Sequence, residues 1–465
     1  MARRELHYFD LHEYQLRAIE HIKNNPHCAL WVDMGLGKTA ITLTALQELR
    51  ESFDIRRVLV IAPKRVARKT WTDEIATWSH LHGEFSVSKI VGTPDQRKAA
   101  LSVDADIYLM GRDNVVWLKN LFIQGQNQIR RWPWDTVVLD ESSSFKSQAS
   151  QRTAAISSLR RYFDRTIELT GLPAPNGLHD IWSQLEILDR GSRLGNTITA
   201  FRQRWFTWNM YLNKWEIRPE AEAEIHERLG DICMSLRADD YLELPPILNN
   251  MIPVTMSHSE RDKYDEMAKE YCLELKDKVI TAVNGGVLVN KLLQLANGAV
   301  YEDGGTGRYE VIHNKKLEAL EDLLQSLNPP IMIVYNFKHD LERMIKLFTK
   351  LKLNWRKLNT EQDEDDWNDG KIDYFLLHPG SGGHGLNLQF AESGDMVFFG
   401  HQYSLELYKQ IIARLGGGHR RQRPLTLHHL YAERTMEEVA MAAIEHKDAD
   451  NERLMNAVKV LIRGS

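Results

Sequence analysis

Short apolar runs alternate with amphipathic stretches along the first part of the chain. Short apolar runs are typical of buried strands, and the first two are each followed by a stretch whose apolar positions have helical spacing. The predicted strands are 28–32, 58–62, 106–110, 136–140 and 165–169, and the predicted helices are 11–25, 39–50 and 66–78. This alternation predicts a parallel sheet covered by helices on both faces.

The alternation stops near residue 190 and resumes in three later segments, 331–337, 375–380 and 396–400. Between them, residues 200–300 favour helix. The exception is the sequence LELPP, whose two prolines predict a stiff turn or linker. The pattern therefore predicts two α/β lobes around a mostly helical insertion. The predicted bounds are 1–190, 191–310 and 311–465, the last of which ends in a helical segment over 433–463.

Composition narrows the class of protein. A chain of 465 residues is too long for one core and suits two domains of about 200 residues each. Its net charge of −5 means that binding to nucleic acid requires local basic patches. Cys28, Cys233 and Cys272 form no CxxC pair, which argues against a zinc site and a disulfide framework. With no apolar run near 18 residues and no signal-peptide core, we expect a soluble intracellular protein that does not bind membranes.

The sequence WVDMGLGKT at residues 31–39 predicts a phosphate-binding loop between a strand and a helix. Gly35 and Gly37 let the backbone curl around phosphates, Lys38 can reach the β- and γ-phosphates, and the Thr39 hydroxyl can bind Mg²⁺. The strict GxxxxGK[ST] pattern has glycine where this chain has Val32. The predicted nucleotide-binding residues of the loop are Gly35, Leu36, Gly37, Lys38, Thr39 and Ala40.

Two carboxylates end a predicted strand about a hundred residues later. In VVLDESS, Asp140 and Glu141 follow the apolar run, at the edge of a parallel sheet where ligands bind. We expect Asp140 to hold Mg²⁺ and Glu141 to act as the general base that polarises the attacking water. Together with Lys38, the pair predicts a nucleoside triphosphatase that uses ATP and Mg²⁺.

These motifs resemble those of superfamily 2 helicase-type motors, and in particular the SWI/SNF-type family of double-stranded DNA translocases. The sequence DESSSFK, in place of the usual DEAH box, is similar to bacteriophage and bacterial members. Further similar segments are IAPKRVARKTWTDEIATW (61–78), LTGLPAPN (169–176), RADDYLELPP (237–246), KLLQLANGAV (291–300), YNFKHDLERM (335–344), HPGSGGHGLNLQ (378–389) and QIIARLGGGHRRQRP (410–424).

The resemblance implies two RecA-like lobes that clamp ATP and Mg²⁺ between them. It also implies residue roles. Gln15, with Tyr14, would read adenine. The residues that couple hydrolysis to lobe movement would be Thr170, Gly171, Gly385 and Asn387.

The last motif departs from the family pattern QxxxRxHRxGQ. Arg414 keeps its spacing from Gln410, but three glycines follow it, so the second arginine is displaced to Arg420, with Arg421 as the reserve. We expect Arg414 and Arg420 to be arginine fingers, which neutralise charge on the transferring phosphoryl group. A surface contact to DNA is the alternative role.

Contacts to the DNA backbone are expected from basic and hydroxyl groups at loop ends. The candidates are Lys64, Arg65, Arg68, Lys69 and Arg112 in the first lobe and Gly382, Gly383 and His384 in the second. Such contacts carry no sequence information, so binding should be non-specific and sensitive to salt. A solvated helix face is the alternative for 64–69. In FRQRWFTWNMYLNKW (201–215), Trp205, Trp208 and Trp215 could stack on bases, but packing on the first lobe is favoured.

The sequence therefore predicts an ATP-dependent double-stranded DNA translocase of a bacterial cell, encoded by a phage, acting with phage or host proteins. Two alternatives stay open. One is a helicase that separates strands of DNA or RNA. The other is a nucleotide-dependent clamp or protein remodeller with low turnover, which the stretched arginine motif would suit because misplaced fingers slow hydrolysis and leave binding intact.

Overall fold

The structure is a computed structural model in which the chain divides into two compact units, one ending at Glu243 and the other made of most of the residues that follow. The described residues are 5–124, 128–129, 132–175, 177–210, 214–243, 245–276, 282–302, 307–382, 386, 388–391, 393–401, 404–416 and 424–445.

The first unit is an α/β fold around a parallel sheet. Its strands are β1 (His27–Val32), β2 (Val58–Ala62), β3 (Val87–Ile90), β4 (Ile107–Gly111), β5 (Ile123–Gln124), β6 (Gln128–Ile129), β7 (Thr136–Asp140), β8 (Arg165–Thr170), β9 (Phe206–Asn209), β10 (Lys214–Ile217) and β11 (Cys233–Leu236). Its helices are α1 (Glu13–Asn24), α2 (Lys38–Glu51), α3 (Trp71–Thr77), α4 (Pro94–Leu101), α5 (Val115–Phe122), α6 (Gln151–Leu159), α7 (Ile181–Asp189), α8 (Ile198–Trp205) and α9 (Ala221–Leu229). Seven parallel strands form the sheet, in the order β11-β1-β8-β7-β2-β4-β3.

Both faces of this sheet are buried, which explains the uninterrupted apolar runs of strands such as β2 and β4. Along β2, Val58 and Val60 pack in a core shared with α1 and α2, whereas Leu59 and Ile61 pack in a second core shared with α5 and α6. A parallel strand covered on both faces has no polar side, so alternation of apolar and polar residues disappears. The predicted parallel sheet is confirmed, and β2 and β7 have the predicted bounds.

The second unit has the same architecture around its own sheet. Its strands are β12 (Ile247–Val254), β13 (Ala299–Tyr301), β14 (Tyr309–Val311), β15 (Ile331–Val334), β16 (Trp355–Lys357), β17 (Tyr374–Leu377), β18 (Asp395–Phe398) and β19 (Leu425–Ala432). Its helices are α10 (His258–Lys276), α11 (Ala282–Ala296), α12 (Lys315–Ser326), α13 (Lys338–Lys350), α14 (Glu361–Asn368), α15 (Pro379–Gly382), α16 (Leu405–Gly416) and α17 (Met436–Glu445). The sheet order is β12-β19-β18-β15-β17-β16, and the pairs are parallel.

A buried ion pair joins the last described helix, α17, to α12 within the second unit. The Lys316 ammonium on α12 donates to both carboxylate oxygens of Glu437 on α17, at 2.6 and 2.7 Å, and to Asn297 Oδ1 at 2.9 Å. Asn297 in turn donates to Asp340 Oδ2 at 2.8 Å. Because the side chains of Lys316 and Glu437 are fully enclosed, neither charge can be left without its partner at low cost.

The middle of the chain contains strands that the sequence pattern did not predict. Helices cover much of residues 200–300, but β9 and β10 form a hairpin there, and β11 and β12 each add a strand to the edge of one sheet. An edge strand pairs on one side and is partly exposed, so the apolar run in its sequence is short or mixed with polar residues. The predicted insertion 191–310 is thus divided, with β11 in the first unit and β12 in the second.

Among the described helices, none has an apolar stretch of the length that crossing a membrane requires.

Candidate active site

Three loops that carry predicted site residues leave the first sheet side by side. The strands before them, β1, β8 and β7, are neighbours, with Trp31 opposite Thr170 and Leu169 opposite Asp140. Because the strands are parallel, the glycine loop (residues 33–37), Asp140–Glu141 and Thr170–Gly171 lie at the same edge of the sheet. Ligands of open α/β sheets bind at this edge.

The glycine loop has a backbone that only glycine adopts at low cost. Gly35 has φ 86° and Gly37 has φ 84°, both in the left-handed region, and α2 begins at Lys38 directly after them. The backbone N–H groups of this first turn have no partner within the helix, and the helix dipole adds partial positive charge. This arrangement can bind a phosphate group.

Tyr14 and Gln15 brace the glycine loop from α1. The side-chain amide of Gln15 donates to Leu36 O at 3.1 Å and accepts the His12 N–H at 2.8 Å, while the Tyr14 hydroxyl donates to Leu36 O at 3.4 Å. A Cβ atom on Gly37 would lie 2.4 Å from Gln15 Nε2. The structure thus brings Tyr14 and Gln15 to the loop, and both side chains are buried there.

The first turn of α2 places the Lys38 ammonium and the Thr39 hydroxyl next to the glycine loop. The Lys38 ammonium donates to Val32 O at 2.6 Å and to Asp33 O at 3.4 Å, so it is held over the base of the glycine loop. Thr39 follows it and is half-buried, and Ala40 is buried in the core beneath. The ammonium therefore lies beside the loop and the helix N-terminus that can bind a phosphate group.

Asp140 is a buried carboxyl at the end of β7. Its Oδ2 accepts a hydrogen bond from Trp71 Nε1 at 3.0 Å. Burial and the neighbouring Glu141 carboxylate raise the pKa of Asp140 to about 6, although the Trp71 hydrogen bond and the Lys38 ammonium act in the opposite direction. A divalent cation at this position would compensate the buried negative charge, so the residue suits the predicted role of metal ligand.

Glu141 has an unusual backbone conformation. Its φ of 56° and ψ of 59° lie in the left-handed region, which is uncommon for a residue with a side chain. The side chain is largely buried, and the next residue, Ser142, donates through its hydroxyl to Gln184 Oε1 at 2.9 Å. Such strain persists where the surroundings fix it, and it occurs at functional sites.

Thr170 and Gly171 lie against the glycine loop. A Cβ atom on Gly171 would lie 3.4 Å from Val32 O and 3.5 Å from Lys38 Nζ, so this residue is in contact with the loop. Thr170 is fully buried, and its Oγ1 accepts the Leu172 N–H at 3.1 Å. Gly171 is thus close to both ends of the glycine loop, and Thr170 fixes the turn that follows β8.

The predicted basic patch also forms at the carboxyl edge of the first sheet. Residues 64–69 follow β2, and Arg112 follows β4, its neighbour in the sheet; Ala62 is paired with Gly111. A Cβ atom on Gly111 would lie 3.6 Å from Lys64 Cα, so the two chain segments touch. Lys64 and Arg68 are exposed, while the remaining three cations are half-buried: Arg65, Lys69 and Arg112. A single π-helical turn, Val66–Thr70, carries Arg68 and Lys69.

The second unit contains the other predicted site residues. Arg414 lies in the last turn of α16, half-buried and one turn after the buried Gln410, and Gly382 ends α15. The remaining predicted residues lie outside the described residues: Gly383, His384, Gly385, Asn387, Arg420 and Arg421.

A family model for the SNF2-related domain matches residues 14–299, which is more than half of the chain and includes the glycine loop, Asp140–Glu141 and Thr170–Gly171. The chain belongs to the SNF2-related family. Proteins of this family are DNA-dependent ATPases of helicase superfamily 2, so the chain is an ATP hydrolase.

Two relatives found by sequence agree with this assignment. A phage protein, putative protein p41 of Acyrthosiphon pisum secondary endosymbiont phage 1, is 39% identical over 96% of this chain and 98% of its own length. The nuclear protein STH1/NPS1 of Saccharomyces cerevisiae is 26% identical over 82% of this chain, which spans 30% of the length of that yeast protein. Among solved structures, the Sulfolobus solfataricus SWI2/SNF2 ATPase core in complex with dsDNA is 18% identical, with a TM-score of 0.45 over all of this chain and 97% of that one.

Two side chains of this SNF2-related ATPase belong to the site although sequence patterns did not indicate them. Trp71 holds the Asp140 carboxyl, and Gln184 joins Ser142 to the loop after β8 by donating to Pro173 O at 2.8 Å. Both are far from their partners in sequence. An apolar tryptophan in a helix and a glutamine among apolar residues carry no local signal of such contacts.

Proposed function

We propose that this SNF2-related ATPase is a motor that hydrolyses ATP with Mg²⁺ and moves along double-stranded DNA without reading its sequence. The main support is the common edge of the first sheet. The glycine loop, Asp140–Glu141, Thr170–Gly171 and the basic patch all lie at this edge, so the site for a triphosphate and the site for a polymer backbone share neighbouring strands.

The residues of the site divide the work on the nucleotide. The glycine loop and Lys38 bind the phosphates, and Thr39 and Asp140 hold the metal. Gln15, with Tyr14, reads adenine, as the resemblance implies, and both side chains also brace the loop. Bound Mg²⁺ would neutralise part of the negative charge of the phosphates. Glu141 orients the attacking water and accepts its proton, and its left-handed backbone fixes the direction of the carboxylate.

The contacts of Thr170 and Gly171 support a coupling role for these residues. Gly171 packs against Val32 and Lys38, and Thr170 fixes the turn that follows β8. A displacement of Lys38 when the γ-phosphate is released therefore reaches the loop after β8 directly. In the second unit, the proposed arginine finger Arg414 and the DNA contact at Gly382 rest on the resemblance of their motifs.

The basic patch supports nucleic acid as the polymer that binds and phosphates as the groups that are contacted. Cations gather at the ends of two neighbouring strands of the first sheet, as expected for contacts to phosphates; they are Lys64, Arg65, Arg68, Lys69 and Arg112. The choice of duplex DNA is supported by relatives such as the ISWI chromatin-remodeling complex ATPase CHR11 of Arabidopsis thaliana, 26% identical over 62% of this chain. The phage relative supports action inside a bacterial cell.

Steady-state ATP hydrolysis tests this proposal. We would measure it with no polymer, with duplex DNA, with single-stranded DNA and with duplex RNA at one low salt concentration. We expect the largest stimulation with duplex DNA and a loss of stimulation as salt rises, because counterions compete for the phosphate contacts. Equal or greater stimulation by a single strand or RNA would instead indicate a strand-separating helicase.

Replacing the general base provides the internal control. Glu141→Gln keeps the shape and removes the proton acceptor, so we expect ATP and DNA to bind and turnover to fall by about 10²–10⁴-fold. Glu222→Gln, at an exposed position of α9, makes the same chemical change away from the site and should leave turnover unchanged. Normal turnover in Glu141→Gln would remove Glu141 from the mechanism.

A further inference from the structure

The hairpin of β9 and β10 has one apolar face, and the inner end of this face is part of the core. Phe206 and Ile217 are opposite each other at the base of the hairpin, and Phe206 is buried beside Phe201 and Trp205. Trp205, which the sequence offered as a base-stacking residue, is therefore a core residue. These contacts fix the hairpin to the first unit.

The outer end of the same face is only partly covered: Trp215 is half-buried against the core of the first unit, and Trp208 is more exposed. Trp208 is opposite Trp215, their ring centroids lie 5.3 Å apart, and Trp208 is 41% exposed. Beyond them, Met210 is 81% exposed. The opposite face is polar and carries Thr207 facing Glu216. Trp208 and Met210 are large apolar side chains exposed together on one face, and such a group indicates a binding surface.

The charge around this surface indicates what binds there. Of the side chains that the structure describes within residues 201–218, Arg202, Arg204 and Arg218 are basic and Glu216 is acidic, in a chain whose net charge is −5. The Arg202 guanidinium lies 6.0 Å from the centroid of the Trp215 ring. Arg204 pairs with Glu224 at 2.8 Å, but both side chains are well exposed, and such a pair gives up its partner at little cost.

Flat aromatic rings next to cations suit one class of ligand. Nucleic-acid bases stack on aromatic side chains, and their phosphates are bound by neighbouring arginines and lysines. Bases inside a duplex are already stacked on each other and cannot reach the rings. A base must be unpaired to bind in this way.

We propose that Trp208, Trp215 and Met210 form a surface that stacks unpaired bases, so that the preferred substrate is duplex DNA with an adjoining single-stranded segment. This inference rests on the proposed function, because it refines the DNA on which the motor acts. A protein partner with an acidic surface is the competing occupant, and the experiment distinguishes the two.

The test compares binding of a blunt duplex with binding of a forked duplex by fluorescence anisotropy, without nucleotide. For Trp208→Ala, we expect affinity for the fork to fall about fivefold or more, as loss of one stacking partner implies, with affinity for the blunt duplex unchanged. Trp208→Phe keeps an aromatic ring and should recover most of the affinity. Phe53→Ala removes an aromatic side chain that is 92% exposed elsewhere in the first unit and serves as the matched control.

Two results would overturn the proposal. If Trp208→Ala and Met210→Ala bind the fork as tightly as the unchanged protein does, the surface takes another partner, such as a protein. If both DNA forms lose affinity equally, the residues support either the fold or the contacts to the DNA backbone. A lower unfolding temperature of the variants would show that the residues support the fold. Because binding is measured without ATP, the outcome is independent of whether duplex DNA stimulates hydrolysis.

Discussion

At the scale of single residues, the site depends on backbone conformations that few side chains tolerate. Gly37 combines a left-handed φ of 84° with a Cβ position that Gln15 already occupies. Gln15 cannot easily move aside, because its amide is hydrogen-bonded on both sides, to Leu36 O and to the His12 N–H. Glycine at this position is therefore required for the loop and for the contact with α1 at once.

Gly37→Ala should abolish measurable ATP binding at concentrations near the dissociation constant of the unchanged protein, because either the loop or Gln15 must shift. Gly83→Ala is the matched control. Gly83 also has a positive φ, 76°, but no atom lies within 4 Å of its Cβ position. We expect Gly83→Ala to cost about 1–2 kcal/mol of stability and to bind ATP normally. Equal nucleotide affinity in both variants, measured by titration calorimetry, would contradict this account of the loop.

At the scale of elements, helix α7 links two of the loops at the sheet edge. Gln184, which is almost fully buried, accepts from the Ser142 hydroxyl at 2.9 Å and donates to Pro173 O at 2.8 Å and Asp180 O at 3.1 Å. One side chain thus connects the residue after Glu141 with the loop after Thr170–Gly171. We infer that Gln184 positions Glu141 and does not itself touch the nucleotide.

Gln184→Leu should lower the maximal rate of ATP hydrolysis with little change in ATP affinity, since the phosphate loop is untouched. Ser142→Ala removes the other partner, so the effects of the two changes should be less than additive when combined. Ser183→Ala is the control: Ser183 is buried in the same helix, and within the described part of the chain its hydroxyl makes no hydrogen bond. A fully additive double variant would show that Gln184 and Ser142 act separately.

The ion pair between Lys316 on α12 and Glu437 on α17 should affect the stability of the second unit. Lys316→Met leaves the Glu437 carboxylate enclosed without its cation and should lower the free energy of unfolding by about 3–5 kcal/mol. Adding Glu437→Gln removes the stranded charge and should recover part of the loss. Urea unfolding of the two variants measures both quantities, and a double variant that is less stable than Lys316→Met would contradict the account.

The elements show where sequence reasoning succeeds and where it stops. The strands β1, β2 and β7 were predicted because they are buried on both faces, and their ends were predicted as site positions because parallel strands end at one edge. The edge strand β12 carries Asn249 and Asn250 and lacks this signal. The roles of Trp71 and Gln184 come from contacts between residues 69 and 42 positions apart, which no local pattern encodes.

At the scale of the whole molecule, the family assignment and the two parallel sheets agree with the sequence-based expectation of a two-lobed ATPase. The predicted arginine finger Arg414 lies on α16, and its action on the nucleotide stays a prediction, as does that of Arg420. What defines the proposed function is the use of ATP to move along a duplex. A measurement of ATP hydrolysis alone does not distinguish a translocase from a strand-separating helicase or from a clamp.

Displacement of a third strand tests this central claim most directly. A triplex-forming oligonucleotide is bound to a linear duplex, and its release is followed over time with ATP, without ATP and with the Glu141→Gln variant. We predict ATP-dependent release of the third strand, no release by Glu141→Gln, and no separation of the underlying blunt duplex. Separation of the duplex strands would contradict the account in favour of a helicase, and ATP hydrolysis without release would contradict it in favour of a clamp.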